Sequence, residues 1–496
     1  MPTTPQVIVE LGLGGGAGLG SPYLILGEPA SVLGTALLAP ATVLYQVPDT
    51  DLNSFTCSRG ASTGGPLISY EAGQATVTLV NMQGQYDPDN YQGPFAAAAG
   101  WTAACQASGS DTSHFKVSTA DSLDIYEGDW VRFTAVAGAY MVTSLAAPSG
   151  GSVQIAITPA APSVIGSGTA ARYQTMLTPN VIVRIRAVWG GVSYPVWAGY
   201  VTDWDPQYTG PEASYCVLTA TDGLGYLSQD GLRTELGSPV GAGELSGTRV
   251  NRILDSAGWA TGTSWRSVES GNSMMLGTTL GGTPLTELQL VTDSELGGFW
   301  MSPSGKATFR ARRTVLTRAM SVTPQATFGS GPGELPYTDR DLEHASSRLV
   351  NQVTAGNSAG EQTTTNDSAA QARYGLRPFS RTDLLIFAGD LWQWVKLILY
   401  QDKDPEQWFS ALTIDPRVSP AVFYPLVLGL DFRDRITIRR RPPGMLLVSR
   451  DVFIQGVSHE YRRGFWGARW TLQSAAKYND FLILGTGIIG HDLLAF

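Results

Sequence analysis

The sequence predicts a mainly β protein with one α/β segment and a small inserted β unit. Three observations predict it. The 57 glycines and 29 prolines lie scattered, without a fixed period, among many Thr, Val and Tyr. That is the pattern of a turn-rich β chain, and it excludes collagen-like and solenoid architectures. Short runs of alternating polarity recur before about residue 225 and after about 340, as half-buried strands require. Between them the period changes to that of helices. At 496 residues the chain is long enough for roughly two to four domains. Hydrophobic residues make up 43% and charged residues 15%, against roughly 25% charged in an average domain. Such a chain is not disordered, and part of its surface is expected to be covered by other subunits.

Taken in order, Val7-Ile8-Val9-Glu10-Leu11 is a short apolar run followed by a glycine-rich stretch, so 1–20 reads as an N-terminal arm. Gln74–Asn81 alternates Thr with small or apolar residues and reads as a strand, ended by the turn Tyr86-Asp87-Pro88-Asp89-Asn90. Asn180–Trp189 and Val192–Val201 read as a hairpin joined by Gly190-Gly191, the second strand ending at Asp203-Trp204-Asp205-Pro206. Ala213–Thr221 adds another strand. Residues 21–95 and 177–225 thus form one β unit, interrupted by 96–176. Within the interruption, Ala96–Gly100 and Pro162–Ala170 read as small-residue linkers around strands at Phe115–Ser118, Asp129–Val136, Ala139–Leu145 and Ser152–Thr158. Val153, Ile155 and Ile157 face one way, so this is a small inserted barrel or sandwich.

Residues 226–335 form the α/β segment. Thr248–Ala257 reads as a helix with Gly258 past its end. Pro284–Ser294 reads as a second, with Thr283 as N-cap, Pro284 at the first position and Glu287 in the first turn. A hairpin, Gly297–Met301 and Ala307–Ala311, follows around Ser302-Pro303-Ser304-Gly305-Lys306. In 336–475, Asp390–Tyr400 is apolar nearly all round and reads as a buried helix, with a long buried strand as the rival. Asp434–Arg440, Val448–Tyr461 and Ala468–Ser474 read as strands, and 476–496 as a C-terminal extension.

The net charge of −9 argues against a nucleic-acid wrapper, which needs a broad basic face. It is compatible with a channel through which DNA passes, since acidic walls repel phosphate. Cys57, Cys105 and Cys216 are odd in number and widely spaced, indicating neither a disulfide framework nor a zinc site. Met1-Pro2-Thr3-Thr4-Pro5 lacks a positive leader region, and no run reaches about 18 apolar residues. Neither a signal peptide nor a membrane span is expected, and synthesis in a cytoplasm is.

Motifs with chemistry are each outweighed by a structural reading. Gly12-Leu13-Gly14-Gly15-Gly16-Ala17 loosely matches a dinucleotide fingerprint, but Ser21-Pro22-Tyr23-Leu24 starts no helix to carry a pyrophosphate. Gly356-Asn357-Ser358-Ala359-Gly360, with His459 later, fits the order of a hydrolase elbow. The polar run Glu361–Asp367 cannot supply the packed helix an elbow needs. His114, His344, His459 and His491 have no partner at zincin spacing. Asp87/Asp89 and Asp203/Asp205 are carboxylate pairs beside prolines, where turn chemistry explains them better than glycoside cleavage. Arg433, Arg435, Arg439, Arg440 and Arg441, before Pro442-Pro443-Gly444, read as a solvated hairpin, an intersubunit contact or a phosphate contact. The 13 tryptophans pack cores or interfaces, with sugar stacking as the rarer use. No catalytic, cofactor or metal residues are therefore assigned.

Several runs together carry a family resemblance. They are Ser58-Arg59-Gly60, Tyr70–Asn81 with Tyr86–Asn90, Arg184-Ile185-Arg186 with Gly199-Tyr200-Val201 and Asp203-Trp204, Asn351-Gln352-Val353-Thr354, and Gly456-Val457-Ser458-His459-Glu460 with Trp470. In this order they resemble tail-hub or minor tail proteins of long-tailed bacteriophages, over roughly three quarters of the chain. The insertion at 96–176, the glycine-rich start and Leu493-Leu494-Ala495-Phe496 have no counterpart in that pattern. The resemblance implies two pseudo-symmetric β-barrel hub domains, 21–95 with 177–225 and one within 336–475. It implies a homotrimer forming a ring of quasi-sixfold symmetry through heterologous interfaces. It further implies a structural role without enzyme activity at the tail tip of the virion, made in the host cytoplasm. The ring would join the tail tube, through a distal tail protein, to fibre or central tip proteins. It would also meet the tape-measure protein and line a DNA exit channel without specific binding. The alternative is a receptor- or glycan-binding tail protein acting through 96–176, which requires that insertion to bind the host cell wall. A tail-associated hydrolase using Ser358 and His459 is the third reading.

Overall fold

In the computed structural model the described residues are 4–13, 43–62, 65–210, 213–229, 239–344, 348–441, 444 and 446–478. The protein is mainly β with a helical segment in its middle. The strands of both β regions form a single 13-stranded sheet, and no sheet closes on itself among the described residues. From one edge the order is Asp339–His344, Gln407–Ile414, Phe465–Ser474, Val448–Arg462, Leu52–Ser62, Ser69–Val80, Ala213–Thr221, Val192–Gly210, Ile182–Trp189, Gln6–Leu13 and Val43–Gln46. The two regions therefore join where Leu52–Ser62 pairs with Val448–Arg462, almost 400 residues later.

Val448–Arg462 makes this join because it is long enough to serve two partners. Its first half pairs with Arg435–Arg440, from Val448↔Arg440 to Phe453↔Arg435. Its second half pairs with the first region, from Gly456↔Gly60 to Arg462↔Ser54. The change of partner falls at a register shift between Ile454 and Gly456. Two glycines face each other there. A Cβ on Gly60 would lie 3.2 Å from the Gly456 Cα, so the strands approach closely enough that a side chain there would push them a few tenths of an ångström apart.

Local chemistry explains most of the elements. Gly190 and Gly191 have φ of 57° and 80°, the left-handed pair that a two-residue hairpin requires. The helix Ser246–Ser256 ends before Gly258 at φ 69°. Pro284–Glu295 opens on Thr283, whose hydroxyl accepts from the Thr286 N–H. The run near the chain start forms Gln6–Leu13, buried on alternate residues and paired with Ile182–Trp189. The glycine-rich stretch after it, His491 and the C-terminal Leu493–Phe496 lie outside the described residues.

Three expectations are corrected. Val192–Gly210 does not end at Asp203-Trp204-Asp205-Pro206 but runs on, paired with Ala213–Thr221 through a bulge between Val201 and Asp203. Ladder pairing overrides the local turn preference of Asp and Pro. Of the stretches read as linkers, Ala96–Gly100 is strand and Pro162–Ala170 becomes strand only from Gly168: Ala96–Cys105 pairs with Gly168–Thr175 at the neck of the insertion. Small residues form strands there because the partner 70 residues away satisfies their backbone. The helix Ala388–Asp402 is buried on one face only, through Leu391, Trp394, Val395 and Ile398, while Trp392 is 47% exposed. Its stripe has ordinary amphipathic spacing.

Four apolar clusters hold these elements. The largest joins the helical segment to the second β region, with Trp300, Phe309, Trp394 and Trp470 among its members. A second fills the first β region and takes in Tyr424, Leu428 and Trp466 from the second. The six strands within 96–176 form their own sheet around Phe115, Val131 and Ile155. A small fourth cluster lies at Phe453.

Candidate functional site

Strand alternation sorts the side chains at the join onto two faces. One face is buried and the other is open, and they have different chemistry.

The open face carries hydroxyls in register. Thr219, Thr76 and Thr56 stand opposite one another on successive strands, and Glu460 continues the row into the second β region. A parallel row runs Thr413, Arg469, Ser458, Ser58 and Gln74. A third runs Asp205, Val217, Thr78, Ser54 and Arg462. The Thr202 hydroxyl lies 3.0 Å from that of Thr219 at the end of the first row. Asp203, Asp205 and Glu460 are offset by Arg462 and Arg469, and Arg462 pairs with Glu460 at 2.6 Å. Neutral hydroxyls with few, balanced charges give a wet surface with little hold on either apolar groups or phosphate.

The buried face holds Arg59, 6% exposed. Its Nη1 donates to the Met301 carbonyl at 2.9 Å, its Nη2 to Asp431 Oδ1 at 3.0 Å, and its guanidinium lies 4.8 Å from the centre of the Phe432 ring. One side chain of the first region thus binds the helical segment and the second region together. A separate hydrogen-bond chain also links the two regions: the Tyr70 hydroxyl donates to Gln455 Oε1 at 2.7 Å, and Gln455 Nε2 donates to Gln473 Oε1 at 2.7 Å. Gly73 makes room, since a Cβ there would lie 2.9 Å from Arg59 Cγ and 2.7 Å from Asp222 Oδ2. Burial pushes the Asp222 and Asp434 carboxyls up to about 6, although Arg318 pairs with Asp434 at 2.5 Å.

His459 is buried beside this join. Its Nδ1 accepts from the Trp466 indole N–H at 3.4 Å, so its ring is neutral. Desolvation first, and then the Arg59 charge, push its pKa down to about 3. A histidine depressed in the folded state contributes stability above its unfolded pKa of about 6.5 and loses it as pH falls toward 3. The raised carboxyls act in the opposite direction but are common to wild type and variant. Wild type is therefore expected to lose more stability than His459→Gln between pH 7.5 and pH 5, read as the shift in urea midpoint. Equal shifts would remove His459 from the account.

Solved structures of phage tail proteins resemble this chain. The 43 kDa tail protein of prophage MuSo2 from Shewanella oneidensis superposes with a TM-score of 0.47 at 10% identity, covering 96% of this chain and 98% of that one. A tail protein from Neisseria meningitidis gives 0.44 at 14% identity, covering 61% of this chain and 90% of that one. An E. coli type VI secretion component, itself described as structurally similar to T4 bacteriophage tail proteins, gives 0.35 at 9% identity, covering 86% and 74%. TM-scores below 0.5 fall short of establishing a shared fold. No family model and no curated protein matches the chain in sequence.

The residues singled out in the sequence do not converge. Ser358 sits in the exposed turn between Gln352–Asn357 and Gln362–Asn366, two paired strands with no elbow helix. His459 belongs to the 13-stranded sheet, so the two stand in different sheets. Asp87 shapes its own turn by accepting from the Asp89 N–H at 2.9 Å, whereas Asp203 and Asp205 lie within a strand. His114 contacts Asp111 at 3.1 Å. His344 lies in the edge strand Asp339–His344. Of the arginine set, Arg433 is buried, Arg435 pairs with Asp451 at 2.5 Å, and Arg439 and Arg441 pair with Glu334 at 3.2 and 3.1 Å. Pro442 and Pro443 lie outside the described residues. The three cysteines are free and buried, their thiols pushed up by burial, Cys57 and Cys216 to about 12 and Cys105 to about 11. Among the described residues no group of three or more His, Cys, Asp or Glu side chains forms a metal site. No helix there is long and apolar enough to cross a membrane.

Proposed function

We propose that this protein is a structural hub at the tip of a phage tail, three copies of which form a ring between the tail tube and the tip or fibre proteins. The observation that carries the reading is the join itself: β regions from opposite ends of the chain are zipped into one sheet by Leu52–Ser62 and Val448–Arg462, with a hydroxyl-lined open face across the seam. A ring that must hold under mechanical load needs its two halves fixed to each other, and Arg59 fixes them. Of the sequence motifs that resemble those of tail-hub proteins, Ser58-Arg59-Gly60 and Gly456–Glu460 lie on the two strands of this seam and Tyr70–Asn81 on the strand beside it. We propose the division 21–95 with 177–225, 96–176, 226–335 and 336–475 as the domains of the subunit, with distal tail, tape-measure and fibre or central tip proteins as its neighbours.

In this reading the open face lines the lumen, where DNA slides without being held. Wild-type protein is expected to leave linear duplex DNA unshifted at roughly 150 mM salt. A Thr56→Arg/Thr76→Arg/Thr219→Arg variant should retain DNA, with a salt slope that steepens by about 0.9 for each phosphate it neutralises, and virions carrying it should eject more slowly. Unchanged ejection in a variant that binds DNA would place this face outside the lumen.

A further inference from the structure

A cleft of about 950 Å³ opens between the helical segment and the second β region. Its floor is one face of the small sheet Arg266–Val268, Ala307–Arg310 and Gly298–Met301. The other face of that sheet, with Phe299 and Phe309, packs into the core. Five cations line the cleft, Arg266, Lys306, Arg310, Arg318 and Arg433, against two acids, Glu269 and Asp431. This is a positive site on a chain of net charge −9.

Three of those cations are matched within the chain. Arg266 pairs with Asp255 at 2.6 Å, Arg318 with Asp434 at 2.5 Å, and Arg310 with Glu269 at 3.5 Å. Arg433 and Lys306 pair with no carboxylate among the described residues. Arg433 is only 5% exposed, its backbone is in the left-handed region at φ 66°, and its contacts include the Ala311 carbonyl at 3.4 Å and the Trp300 ring at 5.6 Å. A buried guanidinium without a counter-charge is costly. A non-glycine residue in this conformation is retained where its surroundings demand it. Among the lining hydroxyls, those of Thr263 and Ser304 are exposed and offer hydrogen bonds to a polypeptide backbone.

We propose that this cleft binds an acidic peptide segment of a neighbouring protein, one carboxylate meeting Arg433 and another Lys306. Glu269 and Asp431 are already matched by Arg310 and Arg59, so the cleft has only two unmatched cations, which favours a peptide over nucleic acid. A duplex brings a charge about every 1.7 Å, most of which would find no cation here, whereas a peptide places one carboxylate on each unmatched cation. Only the neighbour's identity rests on the tail-tip reading; the cleft and its unmatched cations do not.

The test uses the full chain and a fluorescent octaglutamate peptide at low salt, with octaglutamine and a single-stranded oligonucleotide as competitors. Saturable binding is expected, displaced by neither competitor. Lys306→Glu should weaken it about tenfold or more while leaving the mass of the assembly unchanged. Arg433→Gln should weaken it too, and Lys306→Glu keeps the test sound if that variant fails to fold. No binding, equal binding to Lys306→Glu, or displacement by the oligonucleotide would overturn the proposal. A protein that binds the peptide but stays a monomer would keep the cleft and discard the ring.

Discussion

Arg59→Met is expected to destabilise the protein by about 3 kcal/mol, the lower end of the cost of removing one partner of a buried charge pair. The lower end applies because the Asp431 side chain is 24% exposed and water can partly re-solvate it. The loss has several parts. Asp431 loses its partner, the Met301 carbonyl loses a donor, and one of the attractions that lower the Asp222 carboxyl against its burial disappears. Methionine fills similar volume, so the measurement reads charge and hydrogen bonding rather than a cavity. Urea unfolding followed by tryptophan fluorescence checks it, and Arg59→Met/Asp431→Leu should recover part of the loss. A change below about 1 kcal/mol, the scale of an exposed ion pair, would show that the join does not depend on this residue.

Gly199→Ala is expected to cost about 3 kcal/mol or more, at the upper end of overpacking effects. Gly199 pairs with Val183 inside the first β region. A Cβ there would lie 2.2 Å from the Thr221 carbonyl oxygen and 2.5 Å from the Trp197 ring. Neither can give way easily, since the Thr221 oxygen belongs to the backbone of the neighbouring strand and Trp197 is 1% exposed. Gly190→Ala, in the hairpin turn with nothing within 4 Å of its Cβ, is the control for backbone strain alone and should cost about 1 kcal/mol. Equal effects at the two positions would mean that the close packing beside Trp197 is not what demands glycine.

Local chemistry makes much of this fold legible. The alternation of Gln74–Asn81, the paired glycines at 190 and 191 and the cap at Thr283 are decided by residues within a turn or two of each other. The failures are non-local. Asp203-Trp204-Asp205-Pro206 looks like a strand end until Ala213–Thr221 pairs with it. Ala96–Gly100 looks like a linker until its partner, 70 residues on, is known. The join is further out of reach, because nothing near Ser58 indicates Ser458 opposite it. The open face is visible one strand at a time, as Thr alternating with apolar residues, but not as rows across strands. Arg59 stands in a motif, while its burial and its partners Met301 and Asp431 depend on segments 242 and 372 residues away.

Ring formation by this chain is the proposal on which the tail-tip reading stands. Light scattering on the purified protein, alone and mixed with the adjoining tail proteins, tests it most directly. The expected mass is that of three chains, alone or once the neighbours are added. A stable monomer under both conditions would contradict it.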